Sequence, residues 1–194
     1  MTEGRQRPYA GAPRPARTSG ERPARLDETS AGAFDDLIEA NAAFASTFAL
    51  SGFDGVAHAG VAVVTCMDSR IDPLGMLGLS AGDAKIVRNP GGRVTEAALE
   101  ALILGIHLLD VRRILVIPHT RCAMASNTSE ELREAVAESA GMEVLGHVFQ
   151  AVEDQVEALR EDVARVRSHP LIPASVLVGG FLYDVDTGLL SQLI

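Results

Sequence analysis

Four short segments rich in β-branched residues alternate along this chain with segments of helical periodicity. They cover residues 61–65, 84–88, 113–117 and 175–178, and each has the length of a strand. The first is entirely apolar up to its final threonine and has the composition of a buried strand. Strands that alternate with helices are typical of parallel sheets. The sequence therefore predicts an α/β fold with a mostly parallel central sheet flanked by helices.

Apolar spacing and end signals predict where the helices lie. Thr95 is suited to cap the helix that follows the second strand. A hairpin is expected after the last core strand, over residues 181–190, with its turn at Asp186–Gly188. The predicted helices cover residues 30–51, 96–109, 129–139 and 147–166.

The first 29 residues are predicted to be a disordered tail, and residues 30–194 a single α/β domain. Residues 1–26 hold four of the nine prolines and six arginines against two glutamates, with almost no large apolar side chain. Such a segment buries too little surface to offset the entropy of ordering it.

Charge and hydropathy restrict the partners and the location of the protein. The whole chain has a net charge of −9 although its tail is basic, so the domain itself is acidic and nucleic acid is not the expected partner. The sequence contains neither an uninterrupted apolar run long enough for a membrane span nor an apolar signal region at its start. A cytoplasmic protein is expected.

Both cysteines lie where a predicted strand ends. Cys66 follows the first strand, while His119 and Cys122 follow the third. Ligands of parallel sheets bind outside the carboxyl ends of the strands, and packing of these two strands would bring the three side chains together. Two thiolates and one imidazole are good zinc ligands, and three protein ligands leave a position for water or substrate, as in catalytic zinc sites.

Other residues near these strand ends complete the predicted site. Asp68 lies two residues beyond Cys66, where its carboxylate could accept a hydrogen bond from metal-bound water, and Arg70 could hold that carboxylate by a bidentate pair. Gly91 and Gly92, in the loop after the second strand, could offer backbone N–H groups to a substrate oxyanion.

In their order and spacing, these motifs resemble those of the β-class carbonic anhydrases. Cys-x-Asp-x-Arg begins at Cys66, Arg-Asn-x-Gly-Gly ends at Gly92, and His-x-x-Cys ends at Cys122. Residues 178–189 are also similar to the closing strand pair of that family, and the resemblance spans about residues 32–190.

The resemblance implies a zinc enzyme that reversibly hydrates carbon dioxide to bicarbonate and a proton. Cys66, His119 and Cys122 would bind Zn²⁺, and Asp68 and Arg70 would orient the zinc-bound hydroxide that acts as nucleophile. The partners would be small molecules, CO2 and bicarbonate, together with a second copy of the chain in a homodimer or a higher homo-oligomer.

Three residues depart from the family pattern, and two alternative functions stay open. Pro90 replaces the usual alanine of the Asn-x-Gly-Gly loop. Ala123 replaces the usual glycine after the second cysteine, which would be strained if the position required a positive φ, and Arg121 adds a cation that could attract bicarbonate. The same zinc site could hydrolyse carbon disulfide or carbonyl sulfide. Alternatively, the protein could be a catalytically impaired scaffold that binds zinc and bicarbonate.

Overall fold

A computed structural model of the chain describes residues 32–194. The described residues belong to two compact units, which divide between Ala49 and Leu50. The predicted tail, residues 1–29, and the predicted beginning of the first helix at Ser30 lie outside the described residues. Within residues 32–194, the structure contains no helix that is both long and apolar enough to cross a membrane.

Over residues 32–49, the described part of the first unit, there is one helix, α1 (Asp35–Ala45), which is shorter than the sequence predicts. The predicted helix extends to residue 51, whereas α1 ends at Ala45. The hydroxyl of Ser46 donates to the carbonyl of Ala43, and the hydroxyl of Thr47 donates to that of Phe44. Serine and threonine compete in this way for helix carbonyls, which explains the early end of the helix.

The second unit is built on one sheet of five strands. The strands are β1 (Val61–Cys66), β2 (Ala84–Asn89), β3 (Arg113–Ile117), β4 (Leu177–Tyr183) and β5 (Leu190–Gln192). They lie in the order β2-β1-β3-β4-β5, and only the β4–β5 pair is antiparallel. The predicted α/β fold with a mostly parallel sheet is confirmed, and β5 is the second strand of the predicted hairpin.

Two hydrophobic clusters cover the two faces of the sheet. Because side chains alternate along a strand, Ala62 and Val64 of β1 belong to one cluster and Val61 and Val63 to the other. All six residues of β1 are buried, as expected for a central strand with neighbours on both sides. The cluster with Val61 and Val63 also contains both cysteines of the chain, Cys66 and Cys122.

Four α-helices connect the strands: α2 (Glu96–Leu108), α3 (Ala123–Ser126), α4 (Ser129–Ala140) and α5 (Gln155–Ser168). Two short 3-10 helices, Gly75–Leu77 and Pro90–Gly92, lie before and after β2. The predicted positions of α2 and α4 are correct to within one residue. The predicted helix over 147–166 is wrong in its first turns, because Asp154 caps α5 by accepting hydrogen bonds from the N–H groups of Val156 and Glu157. Just before that cap, the N–H of Val152 donates to the carbonyl of Met124.

The register of the sheet places the ends of β1 and β3 side by side. Thr65 pairs with Ile117, and the buried hydroxyl of Thr65 donates to the carbonyl of Ile117 at 2.7 Å. The residues that follow these strands therefore emerge at one edge of the sheet, where the candidate site lies.

Candidate metal centre

Cys66, His119 and Cys122 form a buried group that could hold a metal ion. One potential ligand atom from each residue lies within 4.8 Å of the other two, and the two sulfur atoms are 4.0 Å apart. The structure therefore brings together all three residues that the sequence singles out as metal ligands.

One nitrogen of the His119 imidazole is hydrogen-bonded, and the other has no hydrogen-bond partner. Nδ1 lies 2.9 Å from the carbonyl oxygen of Thr120, to which it can only donate, so the lone pair belongs to Nε2. Within residues 32–194, Nε2 is the one buried side-chain nitrogen or oxygen that lacks a hydrogen-bond partner. A buried imidazole nitrogen with a free lone pair fits a metal ligand, because leaving it unpaired would otherwise cost free energy.

The two thiols are unequal in acidity. The hydrogen bond that the two thiols share lowers the pKa of Cys66 and raises the pKa of Cys122. Burial raises the pKa of both thiols, whereas backbone N–H groups of Asp68 and Gly91 help to lower that of Cys66. A metal cation would replace the shared proton and favour both thiolates, so these donors also fit a metal ion such as zinc.

Asp68 and Arg70 form a bidentate ion pair beside these donors. The Arg70 Nε is 2.9 Å from the Asp68 Oδ1, and the Arg70 Nη2 is 2.7 Å from the Oδ2. These bonds hold the pKa of Asp68 well below its usual range and raise that of Arg70. The Oδ2 lies 3.9 Å from the His119 Nε2, so an ionised carboxylate faces the free imidazole nitrogen.

Arg88 also holds the segment after β1, a role that the sequence analysis missed. Its Nε donates to the carbonyl of Cys66 at 2.9 Å, and its Nη2 donates to that of Asp68 at 2.6 Å. Arg88 is the first residue of the Arg-Asn-x-Gly-Gly motif, which is the one signal in the sequence that could have indicated it.

The two glycines of that motif pack against the end of β1. Both are buried and have positive φ, 80° for Gly91 and 66° for Gly92. A Cβ at Gly92 would lie 2.9 Å from the backbone nitrogen of Cys66, so only glycine fits at this position of the loop. Both glycines also line a small cavity of about 10 Å³ together with Cys122.

The turn after β3 carries its left-handed residue at Arg121. The φ of Arg121 is 54°, whereas Ala123 begins α3 in an ordinary helical conformation. Ala123 therefore does not suffer the strain that a positive φ would impose on alanine. The Arg121 Nη2 is 2.6 Å from the Oδ1 of Asp186, so its charge already has a carboxylate partner.

Fold and site together define a class: an α/β protein whose parallel strand ends gather two thiols and an imidazole able to bind a metal ion. The profile of the carbonic anhydrase family matches residues 61–190. This chain belongs to the carbonic anhydrase family and, within it, to the β-class that the motifs resemble. The expectation of an enzyme of this class is confirmed.

Relatives and solved structures agree with this assignment. The carbonic anhydrase of Streptococcus mutans superposes with a TM-score of 0.75 at 35% identity, covering 83% of this chain and 97% of that one. Beta-carbonic anhydrase 1 of Mycobacterium tuberculosis is 32% identical over 69% of this chain and 81% of its own length. A carbon disulfide hydrolase of Acidithiobacillus thiooxidans is 31% identical over 65% of this chain and 73% of its own length.

Proposed function

We propose that this protein catalyses the reversible hydration of carbon dioxide to bicarbonate and a proton with a zinc ion held by Cys66, His119 and Cys122. The observation that carries the proposal is the convergence of two thiols and a free imidazole nitrogen within 4.8 Å at one sheet edge. Zinc bound there would supply water that ionises at a pKa of about 7. A water oxygen would add to the carbon of CO2, one carbon–oxygen π bond would become the oxyanion, and a proton would leave to solvent.

Asp68 is the proposed acceptor that orients the attacking water. Its depressed pKa keeps it ionised, so it can only accept hydrogen bonds. The Oδ1 already accepts from both the backbone N–H and the Nε of Arg70, whereas the Oδ2 accepts from the Nη2 and lies on the side of His119. The Oδ2 therefore has a lone pair available for water, and Arg70 fixes its direction.

The Gly91–Gly92 loop remains the proposed contact for the substrate oxyanion, through the backbone N–H of Gly92, because the N–H of Gly91 is directed at the Cys66 thiol. Two features support this assignment: both glycines are held at positive φ, and both line the cavity that Cys122 also borders. Their N–H groups belong to a loop that packs against the end of β1 rather than to a flexible segment.

Stopped-flow CO2 hydration by metal-analysed protein tests the proposal, from about pH 6.5 to about pH 9, a range that spans the expected water pKa of about 7. A rate that rises with pH and is proportional to bound zinc is expected. Asp68→Asn should retain zinc and lose most of the rate, while Met67→Leu, an exposed neighbour, is the matched control. Full zinc occupancy without any rate above buffer would refute the proposal.

Carbon disulfide or carbonyl sulfide hydrolysis is a second candidate for the same site. It is supported by the similarity to the carbon disulfide hydrolase of Acidithiobacillus thiooxidans, since both substrates share the linear geometry of CO2. Addition of water to either would release hydrogen sulfide. Sulfide release without CO2 hydration would favour this candidate, and bound zinc without either activity would favour the scaffold that binds bicarbonate.

Cytoplasmic location and assembly into a homodimer or a higher homo-oligomer are proposed together with the activity. The support for assembly is the membership of the β-class, and sedimentation of the purified protein at micromolar concentration tests it.

A further inference from the structure

The turn after β3 combines an unfavourable backbone conformation with a side-chain contact to the β4–β5 hairpin. Arg121 is one of two non-glycine residues with positive φ among residues 32–194. Left-handed backbone is unfavourable for a residue with a long side chain, so neighbouring contacts must hold it in place. The ion pair with Asp186 is the contact that the Arg121 side chain makes.

The backbone carbonyl of Arg121 points toward the ion pair beside the metal centre. The Arg70 Nη2 lies 3.3 Å from this oxygen and 2.7 Å from the Asp68 Oδ2, so one nitrogen donates to both acceptors. The orientation of the peptide after Arg121 therefore helps to set the position of the Arg70 guanidinium.

We propose that Asp186 is a positioning residue: its ion pair with Arg121 holds the left-handed turn so that the Arg121 carbonyl keeps Arg70 aligned on Asp68. This proposal rests on the proposed role of Asp68. Asp186 touches neither the substrate nor the metal donors, and it acts through Arg121 and Arg70.

The hairpin is suited to this role because its own turn is internally held. The backbone N–H of Asp186 donates to the side chain of Asp184 at 2.8 Å, and the N–H of Gly188 donates to the Asp184 carbonyl at 2.8 Å. Asp186 is thus placed by the hairpin and not by Arg121, so the hairpin can act as the fixed support of the pair.

Backbone contacts join the same hairpin to the residues on either side of His119. Tyr183 donates its N–H to the carbonyl of Pro118 at 3.0 Å and accepts from the N–H of Thr120 at 2.9 Å. The N–H of Val185 donates to the hydroxyl of Thr120 at 3.1 Å. The turn is therefore anchored up to Thr120, and the Arg121–Asp186 pair continues the anchoring by one residue.

Two groups of readouts on the zinc-loaded full chain test the proposal, with Asp186→Asn as the variant. The first is the hydrogen-exchange rate of the Arg70 Nε–H by nitrogen-15 NMR, which needs no turnover. We expect it to rise about two- to fivefold, the range for losing an exposed ion pair. The Nε–H of Arg93, which donates to the buried Asp162 at 2.6 Å, is the internal reference and should not change.

The second group is kinetic and includes a matched control. Asp186→Asn should lower kcat for CO2 hydration about two- to fivefold, with KM and zinc content unchanged. Asp110→Asn removes the carboxylate of another exposed Arg–Asp pair, next to the amino end of β3, and should leave both readouts unchanged. The double variant Arg121→Asp with Asp186→Arg swaps the two charges. It should restore a large part of kcat and of the slow exchange of the Arg70 Nε–H.

Arg121→Gln keeps the test decisive if Asp186→Asn does not fold, because it breaks the same pair from the other side. An Arg70 exchange rate and a kcat that both match those of Asp110→Asn would overturn the proposal. If the unsubstituted enzyme hydrates no CO2, the proposed function fails, whereas the exchange rate of Arg70 still decides whether Asp186 positions it.

Discussion

The two strand ends that form the candidate metal centre are held in different ways. The segment after β1 is held by close packing and by charge: Gly92 lies against its backbone, Arg88 donates to two of its carbonyls, and Asp68 pairs with Arg70. The turn after β3 is held mainly by backbone hydrogen bonds to the hairpin of β4 and β5.

This difference assigns different tasks to the two segments. Close packing excludes any larger residue, which makes the β1 end rigid and sensitive to added atoms. Hydrogen bonds to a hairpin tolerate changes of side chain more readily and are sensitive to lost acceptors. The rigid end carries the carboxylate that we propose orients the attacking water, and the hydrogen-bonded end carries the buried imidazole. The predictions below test this contrast.

Loss of a metal ligand should have the largest effect, and the effect should be the same at both ends. Cys66→Ser and Cys122→Ser each remove one of three donors, so we expect loss of stoichiometric zinc and of CO2 hydration. The loss should exceed the roughly 10- to 100-fold that removal of an outer partner costs. Metal analysis and stopped-flow rates measure it, with Met67→Leu as control, and retention of zinc by either variant would contradict the shared site.

Gly92→Ala should destabilise the protein at the carboxyl end of β1. The added Cβ would lie 2.9 Å from the Cys66 nitrogen at a φ of 66°, so we expect about 2–4 kcal/mol of lost stability from strain and overpacking. Gly78→Ala is the matched control, because Gly78 has the same φ with no atom within 4 Å of the added Cβ. Its cost should be about 1 kcal/mol. Urea unfolding followed by circular dichroism measures both, and equal losses would show that close packing is unimportant.

Thr120→Val should weaken the β3 end by a smaller amount. It removes the hydroxyl that accepts from the Val185 N–H, and an unsatisfied donor costs about 1–2 kcal/mol. Thr187→Val removes a comparable acceptor from the Leu189 N–H in an exposed turn, where water can replace it, and should cost under about 0.5 kcal/mol. The same unfolding assay compares them. A loss for Thr120→Val no larger than that for Thr187→Val would argue against anchoring by the hairpin.

The smallest expected effect concerns charge at the β1 end and depends on pH. The pKa of Asp68 is lower in the folded protein than in the unfolded chain, so its ion pair adds stability above the unfolded pKa, near 3.9. That contribution is lost as the pH falls through the pKa that Asp68 has in the folded protein. In metal-free protein, Asp68→Asn should cost about 1 kcal/mol at pH 7 and progressively less below about pH 4. A cost that does not change with pH would show that the ion pair is not its origin.

Local patterns in the sequence predict the strands of the sheet and the strand ends at which the candidate metal ligands lie. The buried strands follow from β-branched runs, and the grouping of Cys66, His119 and Cys122 follows from their positions at the ends of parallel strands. Apolar spacing predicts the beginning of α5 too early, because the helix starts only after its cap at Asp154. The pairing of Arg121 with Asp186 joins residues far apart in the chain, and nothing near either residue indicates it.

During synthesis, the candidate metal ligands are made before the hairpin that supports one of the two strand ends. Cys66, His119 and Cys122 all leave the ribosome before β4 and β5, the strands that anchor the turn carrying His119. A nascent chain therefore holds the complete set of donors while one of the two strand ends still lacks its support. Because domains fold as units, the donors reach their final arrangement only after the hairpin has been synthesised. We therefore expect a metal ion to meet all three donors in their final arrangement only after β4 and β5 have been made.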